Sequence, residues 1–195
     1  MILKKYGIEL HSISHNDIEK IRTWRNSEDV VENMFYREQI SVQLQEEWFE
    51  SLNESDCYLM IVYRSEQIGV VNVKKIDWSK RSGEAGVFIG EKEYYKSIVP
   101  MLAILCMMDA FFETFSFSAL TARVRKENQI GLNFNFELGY KVVGGESDQL
   151  VLRVTEEDYL NAAVRIKKTG IKFGKQPDEI NLSTEETKLL LNQGD

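Results

Sequence analysis

The stretch EAGVFIGEKEYYKSIVPMLAILCMMDAFFETFSFSALTARVRKENQIGLNFNFELGY, Glu84–Tyr140, decides the fold. It reads as a strand, a polar loop, a long apolar helix, a second strand, then Asn128, a short helix and Leu138-Gly139-Tyr140. Met101, Leu102, Leu105, Met108, Phe111, Phe112 and Phe115 recur at helical spacing and form a wide apolar face. The apolar run Ile98–Phe117 holds Pro100, Asp109 and Glu113, which marks a core helix and not a membrane span.

Working outward, Ile8–Ile13 reads as the first strand. His15-Asn16-Asp17 offers cap chemistry for a helix with Ile18, Ile21 and Trp24 on one face. Ser41 caps a second helix, with Leu44, Trp48, Phe49 and Leu52 at helical spacing. Tyr58–Tyr63 and Ile68–Ile76 form a hairpin about Ser65-Glu66-Gln67. Trp78 to Gly83 is a polar connection. Downstream, Tyr140–Val143 and Gln149–Val154 bracket Gly144-Gly145 as a second hairpin. Thr155-Glu156-Glu157-Asp158 opens a helix to Lys168, acidic at its start and basic at its end as the helix dipole favours. Residues 1–168 are expected to form one domain. Residues 169–195 read as an appendage that packs on it or mediates a homodimer, with Ser183-Thr184-Glu185-Glu186 capping a last helix ending in Leu189-Leu190-Leu191. Alternation of this kind predicts an α/β (α+β) fold, a sheet with helices on both faces.

The 195 residues carry a formal charge of −7, which argues against a general nucleic-acid binder. Cys57 and Cys106 both sit in apolar runs, so reduced buried thiols and a cytoplasmic setting are expected. Met1-Ile2-Leu3-Lys4-Lys5-Tyr6-Gly7 has no apolar h-region and is not a secretory signal. His11 and His15 have no partners at metal-ligand spacing, so no metal is expected. There is no P-loop, Rossmann or Gly-x-Ser-x-Gly signal.

Four pieces between residues 6 and 154 carry a family resemblance: Trp24-Arg25-Asn26 with Asp29-Val30 and Met34; Gln67-Ile68-Gly69-Val70-Val71; Gly83-Glu84-Ala85-Gly86-Val87-Phe88-Ile89; and Ala122-Arg123-Val124-Arg125-Lys126-Glu127-Asn128 with Leu138-Gly139-Tyr140. Together they resemble GNAT-type N-acetyltransferases, in particular the branch of ribosomal-protein N-terminal acetyltransferases and amino-sugar (pseudaminic-acid pathway) N-acetyltransferases. The resemblance implies a mostly antiparallel central sheet whose central strands splay apart. It implies acetyl-CoA as acetyl donor, its pantetheine arm along the backbone of Val87, Phe88 and Ile89. Its pyrophosphate would lie at the helix start Lys96, Ser97, Ile98 and Val99, where unpaired N–H groups favour an anion. Asn128 would contact the coenzyme arm.

This chain departs from the family at two places. The usual glycine positions of the pyrophosphate loop fall on Lys96, Ile98 and Pro100, and Pro100 removes an N–H donor. The position of the usual catalytic Tyr is Asn135, which cannot act as a general acid; a water or Tyr140 would have to serve, and Tyr140 also reads as a core side chain. Arg123 stands where some relatives have a Glu base, leaving Glu84 as the remaining carboxylate. Arg25 is placed to recognise the acceptor, since its planar fork suits phosphate, with Lys80 and Arg81 as further phosphate contacts.

Two readings follow. One is an acetyl-CoA-dependent N-acetyltransferase acting on a primary amine, that of a nucleotide-linked amino sugar first and a protein N-terminus second. The other is a GNAT-fold module that has lost the coenzyme and binds a ligand or partner. Neither involves nucleic acid or a membrane.

Overall fold

A computed structural model describes residues 1–174, 178–184, 186 and 187. Within them one sheet runs in the order β7-β8-β6-β5-β4-β3-β2-β1-β9. Its strands are β1 (Ile2–Lys5), β2 (Ile8–Ser12), β3 (Asp56–Tyr63), β4 (Glu66–Asp77), β5 (Ser82–Ile89), β6 (Ala119–Arg125), β7 (Lys141–Gly145), β8 (Gln149–Thr155) and β9 (Glu179–Asn181). Neighbours pair antiparallel except β5 and β6. That one parallel pair needs a crossover, and the chain between the two strands supplies it as α4 (Val99–Asp109). The predicted mixed, mostly antiparallel sheet with helices on both faces is what forms.

Side chains alternate across a strand, so each strand feeds two layers. On the first face, Leu10, Leu59, Ile61, Val71, Val73, Leu120 and Leu152 meet Leu102, Leu105 and Phe112 of the α4 region, Leu132 of α5 (Gln129–Glu137) and Tyr159 and Ala163 of α6 (Glu156–Phe173). On the second face, Met60 and Val70 meet Ile21 and Trp24 of α1 (Ile18–Arg25). A short α2 (Glu28–Val31) and then α3 (Val42–Glu50) follow. Ser41 caps α3 by accepting from Leu44 N–H at 3.1 Å, and Thr155 caps α6 by accepting from Asp158 N–H at 3.2 Å.

Past Asp109 the main helix widens into a π-helical turn, Ala110–Thr114, closed by Phe115 N–H on Ala110 O at 2.9 Å. The extra residue turns Phe111, Phe112 and Phe115 together into the core. At the same level Asp109, 2% exposed, accepts from the hydroxyls of Tyr6 and Tyr159, both at 2.6 Å. Lys5 and Lys167 bracket it at 2.8 and 2.5 Å. One carboxylate therefore joins the β1–β2 turn, α4 and α6. Burial opposes its ionisation, but these four partners outweigh burial and hold it below the usual carboxylate range.

The structure differs from expectation at the chain's ends and in α3. A strand precedes Ile8: Leu3 of β1 is 1% exposed, between β2 and β9. Four residues before a Tyr6-Gly7 turn carry too short a pattern to be read alone. Helix α6 continues beyond Lys168 to Phe173, because Gly170 is a packing glycine and not a stop: a Cβ there would sit 2.7 Å from the Tyr6 ring. Residues Glu179–Asn181 pair with β1, joining that segment to the sheet. Ser183 accepts from Glu186 N–H at 3.2 Å, as a cap does, while Leu189-Leu190-Leu191 lies outside the described residues. In α3 the buried residue is Gln45, and Leu44 is 40% exposed.

Candidate active site

Strands β5 and β6 touch only at their beginnings. The parallel pairing covers Ser82–Glu84 against Ala119–Thr121 and then ends. Beyond it β5 stays paired with β4 as far as Ile89, and β6 stays paired with β8 as far as Arg125. The edge of β5 from Ala85 to Ile89 thus faces a wedge with no strand in it. Backbone N–H and C=O groups on such an edge are a template for an extended ligand. Val87, Phe88 and Ile89 lie on this edge.

The wedge opens toward the start of α4. Ser97 Oγ donates to Tyr94 O at 2.8 Å and accepts from Val99 N–H at 3.2 Å. Leu102 N–H bonds to Ile98 O. Among the described residues the N–H groups of Lys96, Ile98 and Met101 have no partner in the protein, and Pro100 has none to offer. No residue from Tyr95 to Pro100 has a positive φ, so this turn does not require glycine. Ile98 packs its side chain on the core, which directs its β-branch away from the turn's open side. The loop fits a pyrophosphate with free amides, the helix dipole and the exposed Lys96.

At the far side of the wedge, Asn128 ends the loop after β6. Its Oδ1 accepts from Gly131 N–H at 2.8 Å, capping α5, and its Nδ2 has no partner among the described residues. The cap and a ligand contact can therefore coexist. Asn135 donates to Gly131 O at 2.8 Å one turn back in α5, which occupies its amide within the helix. Tyr140 is 4% exposed in the main core, and burial pushes its phenol up. Of the two readings of Tyr140, acid or core side chain, its burial fits the core side chain.

The reading of Glu84 as a base is corrected. Its carboxylate contacts Lys74 at 3.1 Å, Lys75 at 3.1 Å and Arg123 at 3.0 Å. Burial would raise its pKa, but the hydrogen bond from Arg123 and the two lysines pull it to about 2. A carboxylate so held is a poor base near neutrality. Lys80 and Arg81 are also engaged locally: Lys80 pairs with Asp77 at 2.8 Å, and Arg81 donates to Phe115 O at 3.2 Å. They shape the β4–β5 turn.

The remaining wall comes from α1–α3 and the segment after β5. Asn26 holds α1 to the chain before α3, accepting from Ile40 N–H at 2.8 Å and donating to Ile40 O at 2.9 Å. That locates Trp24 and Arg25. Trp24 donates to Glu91 at 3.2 Å and lies flat against Gly90, where any Cβ would overlap its indole. Arg25 extends over Phe88, 6.0 Å from the ring centroid. It has no carboxylate partner among the described residues, its Nε is buried without a hydrogen bond, and burial lowers its pKa. Asp29 pairs with Lys92. Sequence reasoning missed Tyr95, whose hydroxyl is buried and unpartnered, and Gln45, whose Nε2 is likewise free. Burial raises the Tyr95 pKa, so it keeps its proton. A polar residue inside an apolar helical face was the one available signal for Gln45; Tyr95 had none.

Cys106 and Cys57 are both pushed to about 12 by burial, and neither is a nucleophile near neutral pH. Among the described residues no group of His, Cys, Asp or Glu could hold a metal ion, and no helix is long and apolar enough to cross a membrane.

Residues 8–140 match the family described as acetyltransferase (GNAT) domain. No curated protein matches the chain in sequence. Among solved structures, spermidine N-acetyltransferase from Vibrio cholerae, in complex with CoA and spermine, is 17% identical, with a TM-score of 0.71 over 80% of this chain and 99% of that one. Apo FdhC, a nucleotide-linked sugar GNAT, is 21% identical, with a TM-score of 0.71 over 85% and 96%. A domain from Methanocaldococcus jannaschii is 19% identical, with a TM-score of 0.69 over 78% and 99%. At these identities the structural likeness speaks to the fold.

Proposed function

The chain belongs to the GNAT acetyltransferase family, and from that premise we propose that it transfers an acetyl group from acetyl-CoA to the primary amine of a nucleotide-linked amino sugar. The observation that carries the proposal is the β5–β6 wedge, one wall an unpaired strand edge and its mouth the free amides at the start of α4. Bound acetyl-CoA supplies an activated acyl group, so the protein's task is to position and polarise. The backbone of Val87, Phe88 and Ile89 holds the pantetheine arm as an added strand and offers an N–H to the carbonyl oxygen. The N–H groups of Lys96, Ile98 and Met101 and the Lys96 ammonium hold the pyrophosphate. Asn128 Nδ2 contacts the arm.

No cysteine is poised for a covalent intermediate, so the amine attacks directly. Glu84 stays ionised and paired, so the proton from the amine would pass to water; the thioester C–S bond breaks as the amide C–N bond forms, and the coenzyme would leave as a thiolate that takes a proton back from water. Tyr95, a neutral phenol with a buried unpartnered hydroxyl, serves as hydrogen-bond donor on the acceptor side. Arg25 supports an anionic acceptor: a desolvated cation without a counter-ion is costly, and a phosphate or carboxylate would complete it.

One observation favours a second reading, a polyamine acceptor. Glu66, Glu91 and Glu93, with Lys20, line a groove of about 540 Å³ beside Trp24. An acceptor panel separates the two. Acetyl-CoA turnover with nucleotide-linked 4-amino sugars, spermidine and an N-terminal peptide is measured by thiol release. The proposal expects the amino sugar to exceed spermidine at least tenfold in kcat/KM; the reverse order overturns it.

A further inference from the structure

We propose that the open second face of the sheet between β4 and β8 is a phosphate-binding surface for the acceptor, built for a diphosphate; this rests on the acetyltransferase reading above. The strand registers place Lys74, Glu84, Thr121 and Arg153 in one row, each opposite the next across β4, β5, β6 and β8. Residues directly opposite in a sheet point to the same side. Arg123, two residues along β6, shares that side, and Lys75 reaches it from the bulge that ends β4. On this side α1 covers β3 and β4 around Met60 and Val70, and α3 sets Trp48 against Tyr58 of β3. Arg123 and Arg153 are both exposed, while Leu120, Ala122, Leu152 and Val154, on alternate positions, are buried.

Charge makes this face unusual on the chain. Four cations, Lys74, Lys75, Arg123 and Arg153, surround Glu84 in a protein of formal charge −7; at the two ends of the row Asp56 lies opposite Lys74, and Lys141, paired with Asp158, lies opposite Arg153, so cations still outnumber carboxylates on this side. Glu84 contacts three of the four and fixes their spacing. Arg153 has no ion pair or hydrogen bond among the described residues. Arg125, farther along β6, is taken by Glu127 at 3.1 Å and Asp148 at 3.7 Å, so the uncompensated charge is concentrated at the Glu84 end. That end is where β5 and β6 begin to part. An acceptor whose diphosphate lies across Arg123 and Arg153 directs its sugar into the wedge, toward Phe88 and Arg25, four residues or about 13 Å along β5 from Glu84. Planar arginine forks suit phosphate oxygens. These cations replace Lys80 and Arg81, which the β4–β5 turn consumes.

Uridine diphosphate and acetyl-CoA are the probes, each titrated calorimetrically against the full chain. The unmodified protein is expected to bind uridine diphosphate. Arg153→Glu is expected to weaken that binding at least tenfold, Arg153→Lys less than threefold, and Arg165→Glu on the outer side of α6 not at all. All three variants keep the acetyl-CoA affinity. Melting temperatures within a few degrees certify folding, since Arg153 and Arg165 are exposed. The same phosphate chemistry is present on the coenzyme, so dephospho-CoA provides a second arm. If Arg153→Glu weakens CoA but not dephospho-CoA, the face serves the coenzyme and the inference is overturned. Failure of uridine diphosphate to bind at 10 mM on the order of phosphate-site affinities, or equal binding by Arg153→Glu, also overturns it. A chain that binds uridine diphosphate through Arg153 but not acetyl-CoA keeps the phosphate-binding surface and sinks the acetyltransferase reading.

Discussion

The guanidinium of Arg25 lies 6.0 Å from the centroid of Phe88, on the strand whose free edge walls the wedge. An arginine stacked on an aromatic ring but lacking a carboxylate is poised for a ligand more than for stability. Arg25→Met should therefore raise the melting temperature by a few degrees, since a desolvated unpaired charge is removed at a gain of about 1 kcal/mol. It should also lower kcat/KM for the acceptor at least a hundredfold. Calorimetry and steady-state kinetics on the same sample check both directions together.

Pro100 is the one position in the α4 turn with no N–H to give. Pro100→Ala restores a donor beside those of Ile98 and Met101. Acetyl-CoA binding should tighten about three- to tenfold, the worth of one ordinary hydrogen bond of about 1 kcal/mol. Unchanged affinity would place the pyrophosphate elsewhere.

Glu84→Gln should leave the shape of the pH dependence of kcat/KM intact between pH 6 and 9. The native carboxylate, held at about 2, does not titrate there. Loss of an ascending limb in that window would show that Glu84 is the base after all.

The Asp109 cluster predicts the pH range of stability. A carboxylate whose folded pKa is depressed contributes stability above its unfolded value of about 4 and loses it as pH falls. Tyr6 and Tyr159 are raised, by burial and by Asp109, so their contribution is complete below about pH 10 and lost above it. The melting temperature should fall on both sides of that range. Asp109→Asn should cost about 3 kcal/mol at pH 7 and flatten the acid limb; a parallel limb would contradict the linkage.

Most of the fold was legible because its signals are local. Pro100 and Ser97 mark the start of α4, Thr155 with three acids marks α6, and Asn128 marks α5. The wedge was legible only by resemblance, because strand splaying is a property of pairing across the sheet and leaves no periodic trace in β5 itself. Glu84 was misread because its neutralising cations come from β4 and β6, positions 74, 75 and 123. Tyr140 reads two ways in sequence, as a stand-in acid or as a core side chain, and the structure buries it in the main core. Arg153 was invisible as a site residue until the register put it opposite Thr121.

The most direct measurement is acetyl-CoA binding by the full chain, by calorimetry and thermal shift together. Stoichiometric binding is expected and, at a coenzyme concentration a hundred times Kd, a gain of about 2.7 kcal/mol, or roughly 5–10 °C in melting temperature. No heat and no shift at millimolar acetyl-CoA would contradict it.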